Sequence, residues 1–215
     1  MLIKFVFTII LTVVGLFFAG CTLTSDSDRK FTGDPLELLI LDIDLPSGWE
    51  LWNLSHEPFA KSEDLVAVYK KPQEDAFGTN SVITHDVTVF NQLEDAKAAL
   101  EADYQYELEL VIDTAQRYGP YQENFEPPKH YAYRSPLADE YRVIYAAKRG
   151  LTGPVVGYRY TVWARYGNVI SWFTTTVANE EETGIGPREA NILPWSEVER
   201  LLMLIDQRFE EAGME

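Results

Sequence analysis

The chain has 215 residues, 46% of them hydrophobic, and its 34 Asp and Glu outnumber 18 Lys and Arg to give a net charge of -16. A surface this acidic repels phosphate backbones and anionic lipid, which argues against nucleic acid as a partner and leaves membrane attachment to acyl chains. A single cysteine, Cys21, excludes an internal disulfide framework and a cysteine-based zinc site, so the fold stands on packing alone.

Lys4 supplies a positive n-region, and Phe5 to Phe18 form an apolar run too short to span a bilayer comfortably, which reads as a signal peptide over residues 1–20. Phe18-Ala19-Gly20-Cys21 follows and resembles the bacterial lipobox, in which small residues precede a Cys that becomes the new N-terminus. Ala19, Gly20 and Cys21 fit that pattern, while Phe18 stands where Leu is usual and bears on processing efficiency. The resemblance implies acyl chains, palmitate among them, on Cys21. They would hold the chain on the cell membrane or outer membrane with its domain outside the cytoplasm. Thr22, in place of an Asp that would signal inner-membrane retention, points to the outer membrane of a two-membrane bacterium. Each buried acyl methylene contributes about 0.8 kcal/mol, so two or more chains hold firmly.

Residues 21–34 read as the lipidated N-terminus and a polar tether, with a reach of roughly 20 Å as a random coil. Residues 35–215 read as one α+β domain. Pro35 opens an apolar segment through Leu41, expected as a short helix. Trp49 to Leu54 and Asp64 to Lys70 read as strands joined by a loop carrying His56, Pro58 and Phe59. Asn80 to Phe90 alternates, and the face bearing Ile83, His85, Val87 and Val89 suits a core. From Gln92 the period turns helical, with Leu93, Ala96, Leu100, Tyr104, Leu108, Val111 and Ala115 on one stripe until Gly119-Pro120.

After a loop over Tyr121 to Lys129, strands are expected over Tyr131 to Arg134, Asp139 to Lys148, Val155 to Tyr166 and Val169 to Ala178. Gly167-Asn168 joins the last two as a hairpin. An acidic loop over Asn179 to Leu193 leads to a closing helix from Ser196, where Ser196 and Glu199 form a capping box. Its apolar stripe is Val198, Leu201, Leu202, Ile205 and Phe209, with Glu197, Arg200, Asp206 and Glu210 outside it. The fold class is therefore α+β: a mainly antiparallel sheet with a long central helix and a C-terminal helix packed on it.

This order of elements, with Leu38-Leu39, Asp44-Leu45-Pro46-Ser47-Gly48-Trp49 and the Arg165-Tyr166-Gly167-Asn168-Val169 hairpin, resembles the PsbP-like domains of bacterial surface lipoproteins. The resemblance covers most of the mature chain as a pattern of elements. It implies a binding or assembly module and brings no catalytic residues with it.

The chemistry-bearing residues are sparse. His56, His85 and His130 lie far apart without metal-ligand spacing and read as two loop histidines and one partly buried strand histidine. Asp42 and Asp44 read as capping and turn residues, because Leu45-Pro46 follows where a calcium loop needs more oxygen ligands. There is no Gly-x-Ser-x-Gly elbow, and Gly184-Ile185-Gly186-Pro187 and Glu180-Glu181-Glu182 read as loop. Tyr118, Tyr121, Phe125, Tyr131 and Tyr133 crowd the central loop as core and rim packing or as a stacking surface.

The hairpin places Trp163 across from Trp172, and sets Val162 against Phe173, Tyr160 against Thr175 and Tyr158 against Val177 on the opposite, core-forming face. Edged by Arg159 and Arg165, the indole pair is a candidate platform for an aromatic, sugar or peptide ligand. The competing reading packs both indoles under a helix, in keeping with the usual burial of Trp. The function expected is a membrane-anchored, non-enzymatic module that needs no cofactor or metal and binds an envelope protein, peptide or sugar. The alternative is an envelope hydrolase with an unrecognised acid or His site. A solute-binding subunit would need a longer chain for two lobes.

Overall fold

The computed structural model describes residues 29–71, 82–117, 133–149, 155–178 and 192–214. The signal peptide, Cys21, His130 and the loop aromatics Tyr118, Tyr121, Phe125 and Tyr131 lie outside them, as do the Gly119-Pro120 stop and most of the 179–193 loop. A six-stranded antiparallel sheet is built from β1 (Glu50–Pro58), β2 (Ser62–Lys70), β3 (Val82–Phe90), β4 (Glu140–Arg149), β5 (Val155–Tyr166) and β6 (Val169–Ala178), in the order β1-β2-β3-β6-β5-β4. Helix α1 (Leu93–Arg117) covers one face and α2 (Trp195–Glu211) the other. The protein is an α+β fold, mostly sheet. Among the described residues no helix is long and apolar enough to cross a membrane.

The α2 face carries the larger core. Leu65, Ala67 and Tyr69 of β2, Ile83 and Val87 of β3, Tyr160, Val162 and Tyr166 of β5 and Phe173 and Val177 of β6 alternate onto it. Val198, Leu201, Leu202, Ile205 and Phe209 close over them, the stripe read from the sequence, each such side chain contributing about 1.5–3 kcal/mol by its burial. Phe209 stacks on Tyr166 with centroids 3.8 Å apart.

The helix starts at Trp195 rather than Ser196, and no side-chain hydrogen bond caps it, so the expected capping box does not form. Pro194, extended at ψ 151°, sets the boundary, and Trp195 is drawn into the core edge-on to Tyr160, centroids 5.2 Å apart. Packing of the indole places Ser196 one residue inside the helix, where its hydroxyl no longer meets the free N–H groups of the first turn.

The N-terminal segment fills the rest of this face. In place of the expected helix, Pro35–Leu38 form a 3-10 turn, followed by another over Asp42–Asp44, and Leu38, Leu39 and Ile40 are buried. Asp44 acts as a turn residue, as expected: its carboxylate accepts from the Leu41 N–H at 2.7 Å and pairs with Arg208 at 2.5 Å.

Residues of the expected tether are docked on the domain as well. Phe31 is buried, its N–H donating 2.7 Å to Asn168 Oδ1, while Arg29 pairs with Asp139 at 2.7 Å and donates to the carbonyls of Leu137 and Met214. This contact explains Gly167: at φ 57° it needs no Cβ, and a Cβ there would collide with the Arg29 carbonyl.

On the opposite face α1 lays Ala96 and Leu100, with Tyr104, Leu108 and Val111 beside them, over Ile144, Trp163 and Ile170. Of the strand expected over Tyr131 to Arg134, Tyr131 and Ala132 lie outside the described residues and Tyr133 and Arg134 belong to no strand; the chain enters β4 at Glu140. Their neighbourhood is fixed by side chains instead, since Tyr133 and Ser135 both hydrogen-bond Asp206.

Candidate functional site

Strand β1 is the outer strand of the sheet, paired on one side only. Among the described residues nothing packs over it: every residue except Ser55 is exposed, among them Leu51 (38%), Trp52 (63%) and Leu54 (46%), and Phe59 just beyond is 53% exposed. Leu51 and Leu54 point to the α2 side, because they pair with the buried Tyr69 and Ala67. Trp52 is the extra residue of a bulge, since the register passes from Leu51 and Tyr69 directly to Asn53 and Val68. Lys70 Nζ sits 3.1 Å above its ring, a cation–π contact that holds the indole outward.

The bulge at one end and Pro58 at the other confine regular open pairing to Asn53–Glu57. Glu50, Glu57 and Glu63 make this edge acidic, and His56, within the strand rather than in a loop, lies 2.5 Å from Glu63. An edge of this composition offers free backbone donors and acceptors, two or three apolar anchors and negative charge. It is suited to adding an extended chain as a seventh strand.

The hairpin residues occupy the expected register, Trp163 opposite Trp172 and Val162 opposite Phe173, but they form no exposed platform. Trp163 is 3% exposed, with Tyr104 of α1 edge-on at 5.8 Å, and Trp172 is partly buried beside it. Arg159 pairs with Glu107 of α1 at 2.8 Å. Arg165, 1% exposed, bonds Glu140 at 3.0 Å, the Gly167 carbonyl at 3.0 Å and Asp139 at 3.3 Å. The platform is overturned because the chain from β3 to β4 crosses this face as an amphipathic helix whose stripe must itself be buried. Both faces of the hairpin are therefore core.

Among the described residues, three groups of buried polar side chains carry titratable groups away from the hairpin. His85 is fully buried, accepts from the Ile40 N–H at 3.1 Å through Nδ1, and so carries its proton on Nε2, 2.9 Å from Ser171 Oγ. Burial, with the Arg208 charge adding to it, pushes its imidazole down to about 3, so it is a neutral brace between the N-terminal segment and the sheet. Tyr69 donates to the carbonyl of the same Ile40.

Asp206, read from the sequence as an outward residue, is 6% exposed. It accepts from Ser135 at 2.6 Å, Tyr166 at 2.6 Å and Tyr133 at 2.5 Å, and burial together with its charge holds both phenols protonated. These residues line a cavity of about 10 Å³, no more than one water fills, so the cluster has no room for a substrate.

The third group lies on the α1 face, where Asp64 and Asp86 project from β2 and β3 and Asp103 from α1. Burial first, then the charges of Asp64 and Asp103, pushes Asp86 up to about 7 against a bond from Thr88. Burial likewise raises Asp64 and Asp103. Among the described residues no group of three or more His, Cys, Asp or Glu is placed to hold a metal ion.

The open β1 edge, the docking of Arg29 and the role of Asp206 escape a sequence reading, although Asp206 carried a signal. It lies four residues after Leu202 and three before Phe209, on the buried stripe, and its charge masked the spacing. Compared with protein-family models, curated proteins and solved structures, the chain matches none of them.

Proposed function

We propose that the protein is a lipid-anchored, non-enzymatic module of the bacterial envelope, of the PsbP-like kind, that binds an extended segment of another envelope protein along β1. The observation that carries this reading is the edge strand, uncovered among the described residues, with Leu51, Trp52 and Leu54 exposed, whereas the Asp206 cluster is closed off by its own partners and has no room for a substrate. The fitting partner has apolar residues at alternate positions and Lys or Arg to meet Glu50, Glu57 and Glu63. The anchor is Cys21. Labelled fatty acid enters the wild type and not Cys21→Ala, and equal labelling of both removes the anchor from the proposal.

The binding edge is tested with a photo-crosslinking residue at Asn53, and at the exposed Tyr106 of α1 as control. Asn53 yields one specific adduct that Tyr106 does not. With the partner segment mapped from that adduct, Trp52→Ala with Leu54→Ala weakens binding at least about tenfold at unchanged thermal stability. Equal adducts from both positions, or unchanged affinity, overturn the reading.

The convergence of Asp64, Asp86 and Asp103, with Asp86 raised to about 7, favours envelope hydrolysis as the second reading. That reading requires Asp86→Asn to abolish a hydrolytic activity, whereas the binding reading leaves partner capture by this variant intact.

A further inference from the structure

The seven residues Thr22 to Asp28 are all that separates Cys21 from Arg29, where the chain is already fixed to the domain. Seven residues reach about 15 Å as a coil and at most about 25 Å fully extended. Arg29 and Phe31 are fixed at one end of the sheet, against the Gly167-Asn168 turn, Asp139 and Met214. Strand β5, with 12 residues, extends about 36 Å away from that turn.

The same end includes the β1–β2 turn. Asn168 Nδ2 donates 2.6 Å to the Phe90 carbonyl, Phe90 is opposite Ser62, and the Phe59 N–H donates 2.8 Å to the Ser62 carbonyl. Phe59 is therefore about two to three strand spacings, roughly 10–15 Å, from the docked N-terminus. This end presents an aromatic side chain that is half exposed, Phe59, and two exposed cations, Lys30 and Lys61, the latter 2.8 Å from Asp95. An aromatic ring with lysines beside it suits the headgroup boundary, but the far end has the same pair in Trp52 and Lys70, so the orientation rests on the short tether and where it is docked. The far end of the sheet has β1 beginning at Glu50, opposite Lys70, with Ser47 exposed just before it.

Resting on the lipid-anchored reading above, we infer that the β5–β6 turn and the Phe59–Lys61 turn face the bilayer, held there by the docked Arg29–Phe31 segment. The acidic body of the domain is repelled by anionic headgroups and stands away from them. Strand β1 then runs outward from the membrane, its Pro58 end near the lipid and Trp52 at the distal end. A partner strand added along β1 is oriented the same way.

The test uses the full-length acylated protein in vesicles of phosphatidylethanolamine and phosphatidylglycerol containing a headgroup-labelled quencher lipid. Because Cys21 is blocked by acylation, a fluorophore goes onto one introduced thiol, Lys61→Cys or Ser47→Cys. The Lys61 position is quenched at least about threefold more than Ser47, and inserting about thirty Gly and Ser residues between Asp28 and Arg29 reduces that difference to less than half. Equal quenching, stronger quenching at Ser47, or a difference that survives the insertion overturns the inference. Flotation of the same vesicles separates the two claims: protein that fails to float refutes the anchor itself, and protein that floats without the difference refutes only the orientation.

Discussion

The two faces of the sheet differ in the buried ionisable groups they hold. Under α2, Asp206 has both oxygens occupied by hydroxyl donors and His85 has both ring nitrogens engaged, so polar groups act as braces between α2, the N-terminal segment and the strands. Among the described residues each face also keeps buried atoms without a hydrogen-bond partner, Thr175 Oγ1 and Arg208 Nε under α2 and one Asp64 carboxylate oxygen and the Trp172 indole N–H under α1, but it is under α1 that a carboxyl, Asp86, is driven towards its protonated form. The Asp206 and His85 networks, satisfied at both ends, each fix one arrangement, whereas the crowded carboxyls Asp64, Asp86 and Asp103 leave charge that ordering must work against. The α2 face is braced by its hydrogen bonds, and the two faces answer pH in opposite directions: His85, held neutral, loses stability as the pH falls below about 6.5, and Asp86 loses it as the pH rises from about 4 to 7.

The heaviest test of this contrast is Trp163→Ala, which empties the centre of the α1 face. Urea denaturation should show a loss of about 3–5 kcal/mol, and Trp163 should be poorly quenched by acrylamide. A loss under about 1 kcal/mol would restore the exposed platform. Next, Asp206→Ala strands three hydroxyl groups and should lose about 2–3 kcal/mol. Asp206→Asn, which keeps the shape and one carbonyl acceptor, should lose less.

Asp86→Asn addresses the pH contrast directly. A carboxyl whose folded value is raised to about 7 from the ordinary 3.8 binds its proton more tightly in the folded state. Its contribution is complete below pH 4 or so and is lost as the pH rises through about 7. Relative to Asp86→Asn, the wild type should therefore lose stability between about pH 4 and 7, and the variant should be more stable at pH 8 by about 1–2 kcal/mol, while the opposite effect of His85 is common to both. Parallel pH profiles would place the origin elsewhere. The smallest effect is expected from Ser196→Ala: without a capping bond it should cost under about 0.5 kcal/mol, where a working cap would cost about 1.

The sequence made some of this contrast legible and concealed the rest. Strands β5 and β6 and their register were readable because Gly167-Asn168 is a strong turn and the alternation on either side is unbroken. Helix α1 was readable from its stripe, yet its consequence for Trp163 and Arg165 was not, because period alone does not say which sheet face a helix will cover. The openness of β1 is equally invisible in its residues: Leu51 and Leu54 look like core, and they are exposed only because β1 ends the strand order. Arg29 and Phe31 sit in a polar stretch that matches a tether, and what fixes them are partners 108 to 185 residues away.

The strand order also bears on how the chain folds. Strands β1-β2-β3 and β4-β5-β6 are each a meander closed by neighbours in sequence, and the two meet only where β3 pairs with β6. Val89 opposite Val169 and Thr84 opposite Thr174 join positions 80 and 90 residues apart. Closing so long a loop costs roughly 2–3 kcal/mol more entropy than closing a hairpin. Each meander can form early from local contacts, and the β3–β6 seam sets the folding rate. His85, on that seam opposite Phe173, joins the two halves at the place where they come together last.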